Sequence, residues 1–136
     1  MNQQSRIVSF LQFQLPAIAW SIFIFTVSSI PSSKIPALID YTDKVLHAGV
    51  FGVLCWLIHI AFFFQPHVKL KRYSALVALF LTMLYGVVDE YHQMYTPGRT
   101  TEFWDFLADT TGGGVYLLLN TYFKFYTMNE DVTPDS

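Results

Sequence analysis

Apolar residues gather into four long runs along this chain instead of alternating with polar residues at short intervals. The runs cover residues 10–30, 45–64, 73–88 and 106–123, and the only Asp, Glu, Lys or Arg inside them is Asp109. A helix needs roughly 20 residues to cross a hydrocarbon core about 30 Å thick, since each residue rises about 1.5 Å. The pattern therefore predicts an all-α, polytopic membrane bundle of four transmembrane helices.

The segments between these runs are short and rich in turn-forming residues. They read "SSIPSSKIPALIDYTD", "QPHVKLKR" and "MYTPGRTTE", and Pro97-Gly98 in the last is a turn signal. Because the chain shows neither an internal repeat nor a second domain, we expect one transmembrane domain over residues 1–126. The polar, acidic residues 127–136 are predicted to form a frayed, disordered C-terminal tail.

Basic residues indicate how the bundle is oriented. In a four-span bundle, one end carries Arg6, Lys69, Lys71, Arg72 and Lys124, and the other end carries Lys34, Lys44 and Arg99. Lys and Arg accumulate on the cytoplasmic side of membrane proteins. Both termini are therefore predicted to lie in the cytoplasm, and the Pro97-Gly98 loop is predicted to lie outside.

Composition supports a membrane setting. Charged residues make up 13% of the chain, whereas soluble domains carry about 25%. With 8 basic and 10 acidic residues, the chain has no excess of positive charge for binding a polyanion. We therefore expect membrane lipids as partners and no nucleic acid.

Polar residues cluster at the predicted outer end, where three helices begin or end. The pairs that lie four residues apart, and so share one helix face, are Asp43 with His47, Asp89 with Gln93, and Asp105 with Asp109. Ionisable groups near the hydrocarbon boundary are costly unless they pair or line a wet cavity. The cluster is therefore predicted to form one site.

Small residues mark a predicted helix contact. Ala48 and Gly52 form a small-xxx-small pattern in the second run, and residues 112–114 are three consecutive glycines in the fourth. Such residues let the backbones of membrane helices approach closely. We expect both helices to pack tightly against neighbours.

Two segments carry a family resemblance, "DKVLHAGVFGVL" and "DEYHQMYTPGRTTEFWDFLADTTGGGVY". They resemble the D-K-x-x-H and D-E-x-x-Q…P-G-R…D…G elements of the VanZ-like family of small bacterial integral membrane proteins, over a motif core of residues 43–116. The family positions carried over are Asp43, Lys44, His47, Glu90, Gln93, Arg99 and Asp105, while Asp109 stands where the family more often has Asn. The founding member is linked to teicoplanin resistance. The resemblance implies a multi-pass protein of the bacterial inner membrane, with a possible influence on glycopeptide sensitivity.

The leading hypothesis is a one-sided pocket that binds or acts on an anionic lipid or a lipid-linked cell-envelope precursor. The candidates for acid/base catalysis are Glu90, Asp105 and His47. The candidates for substrate binding are Asp43, Lys44, Asp89, Gln93, Arg99 and Asp109. Whether the protein is an enzyme stays open, since no nucleophile motif or cofactor fingerprint occurs, and we expect no cofactor. No metal site is expected either, because no recognised ligand spacing is present.

Two alternatives stay open beside the pocket. In the first, the carboxylates and His47 form a proton or ion relay in a small transporter subunit, which requires polar residues across the whole membrane. The third run offers only Ser74, Thr82 and Tyr85 for that purpose. In the second alternative, the cluster is a structural latch between helices.

A specific ion pair is also predicted. Two carboxylates at the end of the third helix, Asp89 and Glu90, oppose the helix dipole and call for a cation. The available cations are Lys44 and Arg99, and Arg99 lies nine residues beyond Glu90. We expect Arg99 to fold back from the Pro97-Gly98 turn and pair with Glu90 or Asp105.

Overall fold

The structure is a computed structural model that describes residues 3–35 and 42–130, and within these ranges it is helical with no strand. Its elements are α1 (Gln3–Ser9), a π-helical turn (Phe10–Gln14), α2 (Leu15–Ser28), a 3-10 turn (Ser32–Lys34), α3 (Thr42–Phe63), α4 (Val68–Gln93) and α5 (Phe103–Glu130). No residue separates α1, the π turn and α2, so they form one continuous helix. The predicted all-α fold with four helices is confirmed.

Three of these helices are long and apolar enough to cross a membrane. The segments are Arg6–Ser28, Thr42–Phe63 and Val68–Gln93. The 28 residues of α5 would rise about 42 Å, but Asp109, Asn120 and several threonines dilute its apolar character. A fourth span therefore stays a prediction, and so does the cytoplasmic placement of both termini.

The last helix continues past the predicted domain boundary. Residues 127–130 belong to α5, and residues 131–136 of the predicted tail lie outside the described ranges. The division into one domain and a tail stays a prediction.

α3 and α5, which run in the same direction, approach each other closely. A Cβ added to Gly112 would overlap the backbone of Ala48, and one added to Gly52 would lie 3.2 Å from the carbonyl oxygen of Gly112. Only glycine at residue 112 permits this approach. The close contact predicted from the small residues is therefore present.

α4 turns its polar face inward. Its buried residues are Ser74, Ala78, Thr82, Gly86, Asp89, Glu90 and Gln93, and its exposed apolar residues include Leu76, Phe80 and Leu84. This distribution is typical of a helix whose apolar side faces lipid and whose polar groups face the bundle.

α2 covers the junction of α3 and α4 through side chains that donate to backbone carbonyls. Trp20 Nε1 donates to Val50 O at 3.0 Å, and Tyr85 Oη donates to Ser21 O at 2.6 Å. Nearby, Ile24 packs with Phe51 in a small apolar core. These contacts hold α2 against α3 and α4, next to the polar residues at the N-terminal end of α3.

Candidate functional site

A tight turn between α4 and α5 positions Arg99. Arg99 N donates to Thr96 O at 3.1 Å, and Gly98 has φ +76°, which is the geometry of a type II turn with Pro97 at its second position. The turn is held against the chain after α2, since Ser32 N donates to Pro97 O at 3.2 Å. Arg99 therefore points to the end of α2, where its Nε donates to Ile30 O at 3.4 Å.

The predicted pair between Arg99 and Glu90 or Asp105 is wrong. Among the described residues, the cation on Asp105 is Lys44. Lys44 lies in the first turn of α3, directly beside the first turn of α5. The type II turn instead directs Arg99 toward Ile30, just after α2. The geometry of the turn therefore determines which group Arg99 contacts, and the short sequence separation between Arg99 and Glu90 does not.

Lys44 is the centre of an acidic cluster at the N-terminal ends of α3 and α5. Its Nζ contacts Glu102 Oε2 at 2.8 Å, Asp43 Oδ2 at 3.0 Å and also Asp105 Oδ1. The hydrogen bond and the charge of Lys44 hold the pKa of Glu102 below its ordinary value of 4.5. Three carboxylates thus share one ammonium, and the cluster keeps a negative charge.

A second, deeper layer contains three buried carboxylates. Asp109 Oδ1 lies 2.9 Å from His47 Nδ1, and Asp89 Oδ2 accepts from Gln93 Nε2 at 2.9 Å. Glu90 Oε2 accepts the backbone N–H of Glu102 at 3.0 Å, so its charge lies at the N-terminus of α5, where the helix dipole favours it.

Each of these three carboxylates keeps one oxygen without a partner. The atoms are Asp89 Oδ1, Glu90 Oε1 and Asp109 Oδ2, all buried and unpaired within the described part of the chain. Buried polar atoms normally have a hydrogen-bond partner. Three such atoms in one layer are therefore unusual for a packed helix contact.

A cavity of about 300 Å³ lies between α2, α3 and the turn after α4. Its apolar lining residues are Phe23, Ile24, Val27, Ile35, Leu46, Val50 and Phe51, and its polar lining residues are Ser28, Asp43, His47, Asp89 and Arg99. The cavity is therefore amphipathic. It can hold a molecule that has an apolar chain and a polar group.

The predicted site residues are distributed over the cavity lining, the acidic cluster around Lys44 and the deeper layer of carboxylates. Four of them line the cavity: Asp43, His47, Asp89 and Arg99. Lys44 and Asp105 belong to the acidic cluster beside the cavity, and Gln93 holds Asp89. Glu90 and Asp109 lie behind the lining, so His47 is the only one of the three catalytic candidates that lines the cavity.

Sequence reasoning missed Glu102. This residue accepts from Lys44 and donates its backbone N–H to Glu90, so it connects the two layers. Its position immediately before α5, where an acid is favoured at a helix N-terminus, was the available signal.

No group of three or more His, Cys, Asp or Glu side chains within residues 3–35 and 42–130 is arranged to hold a metal ion.

Comparison with known proteins gives one match. A family model described as VanZ/LLP1 matches residues 2–124. The chain matches no curated protein and no solved structure.

Proposed function

Because this chain belongs to the VanZ/LLP1 family, and because its polar residues surround an amphipathic cavity, we propose that it binds a membrane lipid or a lipid-linked cell-envelope precursor. The polar headgroup would contact Arg99, His47 and Asp89. The first part of the apolar chain would lie against α2 and α3. The protein would thereby influence the cell envelope and its sensitivity to glycopeptide antibiotics.

The carrying observation is the composition of the cavity wall. Seven apolar and five polar side chains line a space of about 300 Å³, a volume at the lower end of ligand sites. A headgroup and the start of a chain fit such a space better than a whole lipid. The rest of the chain would run along α2 and α3, whose apolar side chains Phe23 and Leu46 are half exposed.

Contacts at the opposite end support a fourth span and an outward-facing cavity. Lys71 of α4 and Lys124 of α5 both lie over the Phe63 ring, at 4.8 and 5.8 Å. α5 therefore runs beside the whole of α3, from Lys44 to Phe63, and would cross whatever thickness α3 crosses. With these lysines at the cytoplasmic end, the cavity would face outward from the bacterial inner membrane.

His47 is the residue placed to act on a bound headgroup. Its Nδ1 is held by Asp109, an arrangement that fixes the ring and suits acid/base catalysis. Glu90 and Asp105 would support the site without touching the ligand. Chemical change of the lipid would therefore depend on His47.

Native mass spectrometry of gently purified protein, with identification of extracted lipids, tests the proposal. We expect a lipid to co-purify with the wild type and with Lys34→Ala, which removes a cation on the same side but outside the cavity lining. We expect Arg99→Ala to lose most of it. Equal lipid retention by Arg99→Ala and wild type, or no retained lipid at all, would contradict the proposal.

A cellular readout complements this measurement. In a strain where deletion of the gene changes glycopeptide sensitivity, Arg99→Ala at normal membrane abundance should behave as the deletion does. Lys34→Ala should behave as wild type. Full activity of Arg99→Ala would show that the cavity is not needed for the role in the cell envelope.

One observation favours a proton relay as a second candidate function. Below the carboxylate layer, His59 and Thr82 are buried, and His59 Nδ1 lies within hydrogen-bond distance of Tyr116 Oη. α3 and α5 thus add His59 and Tyr116 to the few polar groups of α4. Proton flux into liposomes containing the protein, reduced by Tyr116→Phe, would support a relay, and absence of flux in the wild type would exclude it.

A further inference from the structure

The charged side chains around the cavity indicate which headgroup the proposed lipid carries. We infer that the bound headgroup carries both a phosphate and a primary ammonium group, as in a phosphoethanolamine lipid. This inference rests on the proposed function, and it replaces the purely anionic headgroup expected from the sequence.

Asp89 defines the position of the ammonium group. Its residue is 2% exposed, and it lines the cavity. Gln93 donates to Oδ2, while Oδ1 is buried and has no partner in residues 3–35 and 42–130. A buried carboxylate oxygen without a donor is costly. An ammonium group in the cavity would compensate the negative charge of this carboxylate.

Arg99 defines the position of the phosphate. Its Nε donates to Ile30 O, and the described part of the chain contains no ion pair with it. A guanidinium has five N–H donors in a planar fork that matches phosphate oxygens. Since Arg99 lines the same cavity as Asp89, one headgroup can contact both.

Neighbouring cations do not make the cavity suitable for a purely anionic ligand. Lys44 is already surrounded by three carboxylates, and His47 is paired with Asp109. The lining then has the carboxylates of Asp43 and Asp89 against the single guanidinium of Arg99. A ligand that carries a phosphate but no positive charge would therefore be repelled by the carboxylate of Asp89.

Titrating the full-length protein in detergent with single lipids, followed by native mass spectrometry, tests the inference. Dioleoyl phosphatidylethanolamine should bind about tenfold more tightly than dioleoyl phosphatidylglycerol, the ratio expected for one charged hydrogen bond. Its N-acetylated form, which has no ammonium, should lose that advantage. This comparison of lipids uses only the wild-type protein, so its result does not depend on whether a substituted protein folds.

Protein variants then locate the selectivity. Asp89→Asn can still accept from Gln93 but has no charge, so it should bind the two lipids about equally. Lys34→Ala is the control: it also changes one charge on the same side of the bundle, outside the cavity lining, and it should keep the preference. Retained preference in a folded Asp89→Asn protein would overturn the assignment of Asp89.

Outcomes with lipids separate this inference from the proposed function. Equal binding of both lipids, or a preference for phosphatidylglycerol, would overturn the inference and leave lipid binding intact. Binding of neither lipid would contradict the proposed function itself. Soluble O-phosphoethanolamine should fail to displace the lipid at equal concentration, and displacement would show that the free headgroup is the ligand.

Discussion

Replacement of Gly112 by alanine tests the close contact between α3 and α5. The added Cβ would lie 2.9 Å from Ala48 Cα and 2.7 Å from Ala48 C, and closer still to the carbonyl oxygen. Carbon atoms pack best at about 3.5–4.0 Å. The neighbouring atoms are backbone atoms, which cannot rotate away, so α3 and α5 would have to separate by about 1 Å.

The expected cost follows from overpacking. Inserting a methyl group into a packed contact costs typically 1–3 kcal/mol, and a backbone clash puts Gly112→Ala near the upper limit, at about 3 kcal/mol. For a chain of this size the midpoint of thermal unfolding should fall by roughly 10 °C. The separation would also stretch the Lys44–Asp105 and His47–Asp109 pairs, which lie one turn apart along the same helix contact.

Cys55 provides the assay, because it is the only cysteine and is buried. A dye that fluoresces on reaction with thiols will report unfolding in detergent as Cys55 becomes exposed. Gly114→Ala is the matched control: a Cβ at Gly114 has nothing within 4 Å. Its midpoint should equal or slightly exceed that of the wild type, since alanine favours a helix over glycine. Equal midpoints for the two variants would refute the α3–α5 geometry.

Three further predictions concern the outer end. Lys44→Gln should lower the unfolding midpoint by several degrees, because it leaves three carboxylates uncompensated, and adding Asp105→Asn should recover part of the loss; no recovery would contradict the ion cluster. Because the pKa of Glu102 is lowered in the folded state, its contribution to stability is present above pH 4.5 and is lost as the pH falls through the folded pKa. Wild type should therefore lose more stability than Glu102→Gln on acidification, and parallel pH profiles would argue against this. A cysteine at exposed Thr100 should react with an impermeant thiol reagent from the outside of intact cells, and reaction only after the inner face is exposed would invert the topology.

Helix periodicity predicted those parts of the site that lie on single helices. Asp89 and Gln93, four residues apart, do form a hydrogen bond. Asp105 and Asp109 both face α3, where they meet Lys44 and His47. These outcomes follow from the fixed geometry of a helix, which brings residues four apart onto one face.

Contacts between elements could not be read in the same way. The direction of Arg99 depends on the type II turn at Gly98, and the partner of Asp105 depends on how α3 packs against α5. Three apolar lining residues of the cavity, Phe23, Ile24 and Val27, come from α2, which carries no charged residue. Tertiary packing determines such features, so spacing in the sequence does not reveal them.

Photo-crosslinking with a phospholipid that carries a diazirine near its headgroup tests the central claim most directly. If the cavity binds the headgroup, crosslinked peptides from protein in a native-like bilayer should concentrate in the cavity segments, residues 23–28 of α2 and 46–51 of α3, and Arg99→Ala should reduce them. Crosslinks spread evenly over the lipid-facing side chains of α4 and α5, such as Phe80 and Leu118, and unchanged by Arg99→Ala would contradict a lipid site in this cavity.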